Sequence, residues 1–205
     1  MADVKTSKTR ERILAAAVSL FAQFGYCGVS TREIAHLAKV NEITVYRYYP
    51  KKHDLFMAAV ESEMQKLHIR PELVTRLMSA PDLRSSLRGI SELIGGVLAQ
   101  QPSLARLLQF SALEFGAVLA PLYRKHLGSV LELGIGYLQC WVDAGELNYH
   151  DPRILILAFA TTIVSLPTFY PAIWDEQLPS SSDQSLAAFC ADSWYRALAG
   201  EPKEE

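Results

Sequence analysis

Apolar residues recur at three- and four-residue intervals along almost the whole chain, the period of one face of an α-helix. In the first stretch Ile13, Leu14, Ala17, Leu20, Phe21 and Phe24 make such a face, and Gly25 follows where a left-handed terminating residue belongs. Ser30-Thr31-Arg32-Glu33 has the form of a capping box, predicting a short helix over 31–38 that buries Ile34, Leu37 and Ala38. Asn41 is the next good cap, and Pro50 disfavours helical geometry at Tyr49, so a two-turn helix fits over 42–49. Leu55, Phe56, Ala59, Val60, Met64 and Leu67 mark a longer helix that stops before Pro71. Further prolines precede helical patterns and predict helices over 72–79, 83–100, 103–119, 122–143 and 152–166. A last helix, 184–199, follows the polar loop 179–183. No strand-like alternation of useful length interrupts this pattern, and the expectation is an all-α chain.

Its 205 residues suffice for one ordinary domain or two small ones. Residues 154–174 carry no formal charge, but the strongly apolar part ends near Val164 and Pro167 and Pro171 follow. We therefore expect a buried helix rather than a membrane span, which needs about 20 apolar residues. Cys27, Cys140 and Cys190 are an odd number set far apart, and the first residues have no apolar leader. Both features point to a reducing cytoplasm.

Charge is divided unevenly. Residues 1–53 hold nine Lys/Arg against four Asp/Glu, net +5, and the remainder carries net −7. A basic head draws phosphate backbones by displacing their counterions. Three short helices, with a tight turn between the second and third, form a helix-turn-helix module. On the third, Val45 and Tyr49 share an inward face, while Glu42, Ile43, Tyr46 and Arg47 project outward with Thr44 to the side. Such a stripe suits the DNA major groove: Arg47 to guanine, Glu42 to cytosine, Ile43 to a thymine methyl. Thr31 and Arg32, at a helix N-terminus, are phosphate candidates, as are Thr44, Tyr46, Tyr48 and Lys52, and the cap Asn41 completes the set.

Residues 8–68 resemble the DNA-binding domain of the TetR/AcrR family of bacterial transcriptional regulators. The resemblance rests on Ile13-Leu14-Ala15-Ala16-Ala17, Leu20-Phe21, Phe24-Gly25-Tyr26, Ser30 to Ala35, Ala38, Val40, Ile43 to Tyr49, Lys52 and Leu55-Phe56. It implies a helix-turn-helix at about 30–49, a helical effector-binding and dimerisation domain over 69–205, and a homodimer on palindromic operator DNA. Repression is the commoner outcome in that family. Lys39 departs from its pattern, standing where glycine is usual, and a left-handed backbone there costs a lysine energy. Lys51 replaces a better cap, and Tyr49 replaces phenylalanine.

In the acidic remainder, 152–166 is apolar nearly all round and 122–143 carries Gly128, Gly134 and Gly136, so we expect these helices to form the dimer bundle. Phe110, Glu114, Tyr137, Trp141, Phe159 and Trp174 are candidates for the site of a small hydrophobic effector, with Phe115 and Phe169 as further aromatic lining. The five histidines form no zinc-site spacing, and no phosphate-cradling glycine loop or nucleophile elbow occurs, so neither cofactor, metal nor enzymatic activity is expected. The rival reading is a helical adaptor whose three-helix head touches protein instead of DNA.

Overall fold

A computed structural model of the chain describes residues 2–67, 70–147, 151–176 and 185–198. They form α1 Ala2–Phe24, α2 Thr31–Leu37, α3 Glu42–Tyr48, α4 Lys52–Met64, α5 Arg70–Ser79, α6 Leu83–Gln100, α7 Pro102–Phe115, a 3-10 turn Gly116–Leu119, α8 Ala120–Asp143, α9 Pro152–Trp174 and α10 Leu186–Leu198. Among the described residues there is no strand, and the all-α reading holds. The sequence-derived boundary at 68/69 and the polar loop 179–183 lie outside the described residues.

By packing, the chain separates into two units, Met1–Leu67 with Gln101–His126 and His68–Gln100 with Leu127–Glu205. In the first, Ile13, Phe21, Ile34, Val45, Leu55, Phe56 and Val60 are sealed from solvent. α7 joins this unit through buried Leu104 and Leu107 and through Phe115. The Phe115 ring centroid lies 5.0 Å from that of Tyr26, edge-on, and 5.0 Å from that of Phe56, tilted. Phe56 in turn meets Phe21 edge-on at 5.0 Å. Such pairs contribute about 0.5–1.5 kcal/mol each beyond the area they bury. In the second unit α6 packs on α5, α9 and α10. Its core includes Leu87, Ile90, Leu138, Leu155, Phe159, Ile163 and Cys190.

Several elements depart from the periodicity reading. α7 stops at Phe115 because Gly116 takes a φ of +49° and opens the 3-10 turn. α9 does not stop at 166 but runs on to Trp174. Pro167 and Pro171 are four residues apart, so the donors they lack fall on one stripe and the rest of the hydrogen-bond ladder continues. Leu37, expected in the core, is half exposed, as is Phe24. A Cβ on Gly134 would come within 2.9 Å of Ile156, so this glycine serves the close approach of α8 and α9 within one chain; Gly128 and Gly136 face open space.

The turn after α2 is set by Lys39, whose φ is +54°. The Lys39 N–H donates to His36 O at 3.0 Å and the Val40 N–H to Ala35 O at 3.0 Å, the paired bonds of a left-handed helix stop. The Arg12 guanidinium donates to the carbonyls of Ala38 and Lys39 and holds the turn onto α1. A side chain in this backbone region costs about 1–2 kcal/mol, which a glycine avoids at the expense of a freer unfolded chain. Lys39→Gly is therefore expected to raise stability by about 0.5–1 kcal/mol, read as a higher urea midpoint; an unchanged or lower midpoint contradicts the strain argument.

Within the same unit Glu61 of α4 accepts from Lys125 Nζ at 2.5 Å and from His126 Nε2 at 3.3 Å. The hydrogen bond from the Lys125 ammonium holds the Glu61 carboxyl below its ordinary range, partial burial opposes this, and His126 adds to the lowering. A carboxyl lowered on folding stabilises the fold above its unfolded value, and the contribution is lost as pH falls through the folded value. Glu61→Gln should cost under about 1 kcal/mol at neutral pH. Its deficit relative to the wild type, followed by urea unfolding, should close below about pH 4.

Candidate nucleic-acid interface

α3 is only seven residues long and is fixed at both ends by its sequence. Asn41 Oδ1 accepts from the Ile43 N–H at 2.9 Å. At the other end Pro50 forces Tyr49 out of helical geometry, to φ −137° and ψ 94°, while its N–H still donates to Val45 O. Val45 is fully buried and Tyr49 nearly so, as the face assignment requires. The opposite flank is open, with Ile43 76% exposed and Tyr46 46% exposed. Arg47 is exposed, and its guanidinium carbon stands 5.5 Å from the centre of the Tyr48 ring, a cation–π contact that limits its wandering. Thr44 and Tyr48 are half-buried.

α2 begins with the capping box expected from sequence. The Ser30 N–H donates to Glu33 Oε2 at 2.7 Å, and the Glu33 N–H donates to Ser30 Oγ at 3.2 Å. The bonds from Ser30 lower the Glu33 carboxyl, and Lys52 adds a smaller electrostatic contribution. Arg32 is exposed beside this cap, but Thr31 is only 8% exposed. The Thr31 hydroxyl donates to Glu42 Oε1 at 2.7 Å and lies 3.0 Å from the Tyr46 hydroxyl, tying the start of α2 to the outer flank of α3. Lys52 Nζ rests 4.3 Å from the centre of the Tyr26 ring.

Two residues that organise this surface escaped the sequence reading. Arg12 and Tyr26 act across 27 and 26 residues on Lys39 and Lys52, and no local pattern announces such contacts.

The effector candidates divide between the two units. Glu114 accepts from the Tyr26 N–H at 3.0 Å, and Phe110 comes within 3.3 Å of the place a Cβ on Gly25 would take, so both belong to the packing of the first unit. Phe115 lies there too. In the second unit Tyr137 and Phe159 line an apolar crevice with Leu87, Ile90 and Trp194, whose free volume of about 10 Å³ holds one water at most. Trp141 meets Tyr137 edge-on at 6.1 Å, and Phe159 meets Trp194 edge-on at 5.9 Å. Trp174 is exposed and stacks on Tyr170, and Phe169 is exposed as well.

Comparison with known proteins agrees with this architecture. Residues 13–59 match the profile of "Bacterial regulatory proteins, tetR family". The chain is 27% identical over 189 residues to the HTH-type transcriptional repressor NicS of Pseudomonas putida, covering 91% of this chain and 82% of that one. It is 26% identical over 170 residues to the HTH-type transcriptional regulator RutR of Escherichia coli, covering 82% and 77%. The crystal structure of the transcriptional regulator FadR from Bacillus subtilis in complex with stearoyl-CoA superposes with a TM-score of 0.62 at 20% identity, over 90% of this chain and 95% of that one. With its capped two-turn helix, the chain carries over residues 13–59 the DNA-binding domain of the TetR family of bacterial regulatory proteins and is a DNA-binding regulator of transcription.

Proposed function

We propose that the protein is a repressor that binds a palindromic operator as a homodimer and leaves it when a small apolar effector occupies the second unit. The observation that carries this reading is the outer flank of α3: Ile43, Tyr46 and Arg47 stand in solvent on a helix whose other face is anchored by Val45 and Tyr49. An exposed isoleucine beside an arginine and a tyrosine has little use as a solubilising surface, and it suits a groove that presents both methyl groups and hydrogen-bonding edges. Arg32, Thr44, Tyr48 and Lys52 are the phosphate contacts in this reading, with Asn41 holding the N-terminus of α3. The functional division at 8–68 and 69–205 belongs to the same proposal, although α7 packs with the first unit.

Dimerisation is assigned to α8 and α9. Ile154, Leu157, Phe169, Ile173 and Trp174 are each more than half exposed along α9, more apolar surface than a lone soluble subunit ordinarily leaves in water. Although α9 is long and apolar enough to cross a membrane, Leu155, Phe159 and Ile163 at four-residue spacing are buried in the second unit, so the helix has a protein-facing side. On a palindromic operator a dimer has to present its two recognition helices about 34–36 Å apart, one turn of DNA. Effector binding is assigned to the crevice lined by Tyr137 and Phe159, whose walls must part to admit a ligand. It acts by moving α4, through a coupling of about 1–3 kcal/mol.

The deciding experiment is binding to a duplex selected from a random-sequence pool, titrated against salt. Affinity is expected to fall steeply as salt rises, and Lys52→Ala should flatten the log–log slope by about one unit. Arg47→Ala should cost about 1–3 kcal/mol on the selected site and relax preference at one base pair. An unchanged slope and unchanged preference in both variants overturn the assignment. Leu157→Glu should yield a monomer by sedimentation and lose the selected site; a dimer of undiminished affinity removes α9 from the interface.

A further inference from the structure

The contact between α2 and α3 has a definite hydrogen count. Thr31 has one hydroxyl hydrogen, and the Glu42 carboxylate, 2.7 Å away, has none to give, so that hydrogen belongs to the Thr31–Glu42 bond. The 3.0 Å contact between Thr31 and Tyr46 must then use the hydrogen of the tyrosine. Both hydrogens are consumed inside the head. What Tyr46 shows to solvent is its lone pairs, and what Glu42 shows is its second oxygen. The two residues are one helical turn apart and share a face. They form a pair of acceptors that both bond one oxygen of a threonine only 8% exposed.

A phosphate is also a pure acceptor and carries negative charge, so it gains nothing from this pair and is repelled by Glu42. The partner that fits is a hydrogen-bond donor. In the major groove the donors on base edges are the exocyclic amino groups, N4 of cytosine and N6 of adenine. We propose that Thr31 is a positioning residue that does not itself grip the operator, and that it holds Glu42 and Tyr46 as paired acceptors selecting an amino-bearing base in each half-site. The inference rests on the reading of α3 as the recognition helix. It moves Thr31 and Tyr46 out of the phosphate-contacting set and gives the head a reader of donors beside Arg47, a reader of acceptors.

The test uses the full-length chain and the duplex it selects from a random pool. Wild type, Thr31→Val, Thr31→Ser and Tyr46→Phe are each titrated on that duplex. They are also titrated on duplexes in which, one position at a time, an amino-bearing base is exchanged for its carbonyl-bearing counterpart. Wild type should favour the amino-bearing base at one half-site position by about 5- to 100-fold, the span of a well-made base contact. Thr31→Val and Tyr46→Phe should bring that ratio to within about twofold of unity. Both should keep the preference that depends on Arg47, and Thr31→Ser, which restores the hydroxyl, should behave as wild type.

Tyr46→Phe weakening every duplex equally, with all preferences intact, shows a phosphate donor and overturns the inference. Unchanged discrimination in a folded Thr31→Val does the same, and should that variant not fold, Tyr46→Phe and Thr31→Ser still decide. Failure of the wild type to bind any duplex instead removes the underlying reading, and the inference with it. Binding with selectivity indifferent to Thr31 and Tyr46 removes the inference alone.

Discussion

The structure depends on keeping a seven-residue helix in one place. Two turns of helix have no stability of their own in water, since nucleation consumes more order than so few hydrogen bonds return. α3 exists because Val45 is fully buried and Tyr49 nearly so, while Asn41 closes one end and the Tyr49–Pro50 break closes the other. Everything on the outer flank, from Ile43 to Arg47, inherits its position from that inner contact. Removing the Val45 side chain would free the helix before it altered any group that faces outward.

The supports of this helix reach well beyond it. Arg12 of α1 holds the carbonyls of the turn that leads into α3, where Lys39 occupies left-handed backbone. α4, which follows α3, is gripped by α7 through Phe56 and Phe115, and by Lys125 and His126 through Glu61. Glu114 of α7 takes the free backbone N–H of Tyr26, the residue on whose ring Lys52 rests. The head is therefore not closed on itself. Its last helix shares aromatic packing with α7, which couples α7 to α4 and, across Pro50, to the end of α3.

Much of this is legible in the amino-acid sequence, because it is written in local chemistry. Ser30 with Glu33, Asn41, Gly25 and Pro50 each dictate the backbone within a few residues, and the helices they bound lie where the pattern puts them, to within a residue. The left-handed strain at Lys39 was legible for the same reason. Contacts between residues far apart in sequence were not. Nothing near Thr31 shows that its hydroxyl turns inward to Glu42, and nothing near Glu114 shows that it caps Tyr26 instead of lining a cavity. Two local rules also misled. Pro167 and Pro171 suggested an early end to α9, but their losses share one stripe, and Leu37 followed the apolar period of α2 yet faces water. Aromatic residues guide least, since a core and a ligand pocket use the same side chains.

If the solvent-facing flank of α3 meets base edges in the major groove, a reactive group placed on that flank must reach the bases. The most direct measurement replaces Ile43, the most exposed residue of that flank, with a photoreactive phenylalanine, and irradiates the protein on a duplex selected from a random pool. Covalent capture of the duplex is expected at bases, at symmetry-related positions one helical turn apart. Capture that falls on another protein chain, or a bound duplex that never cross-links from this position, would contradict it.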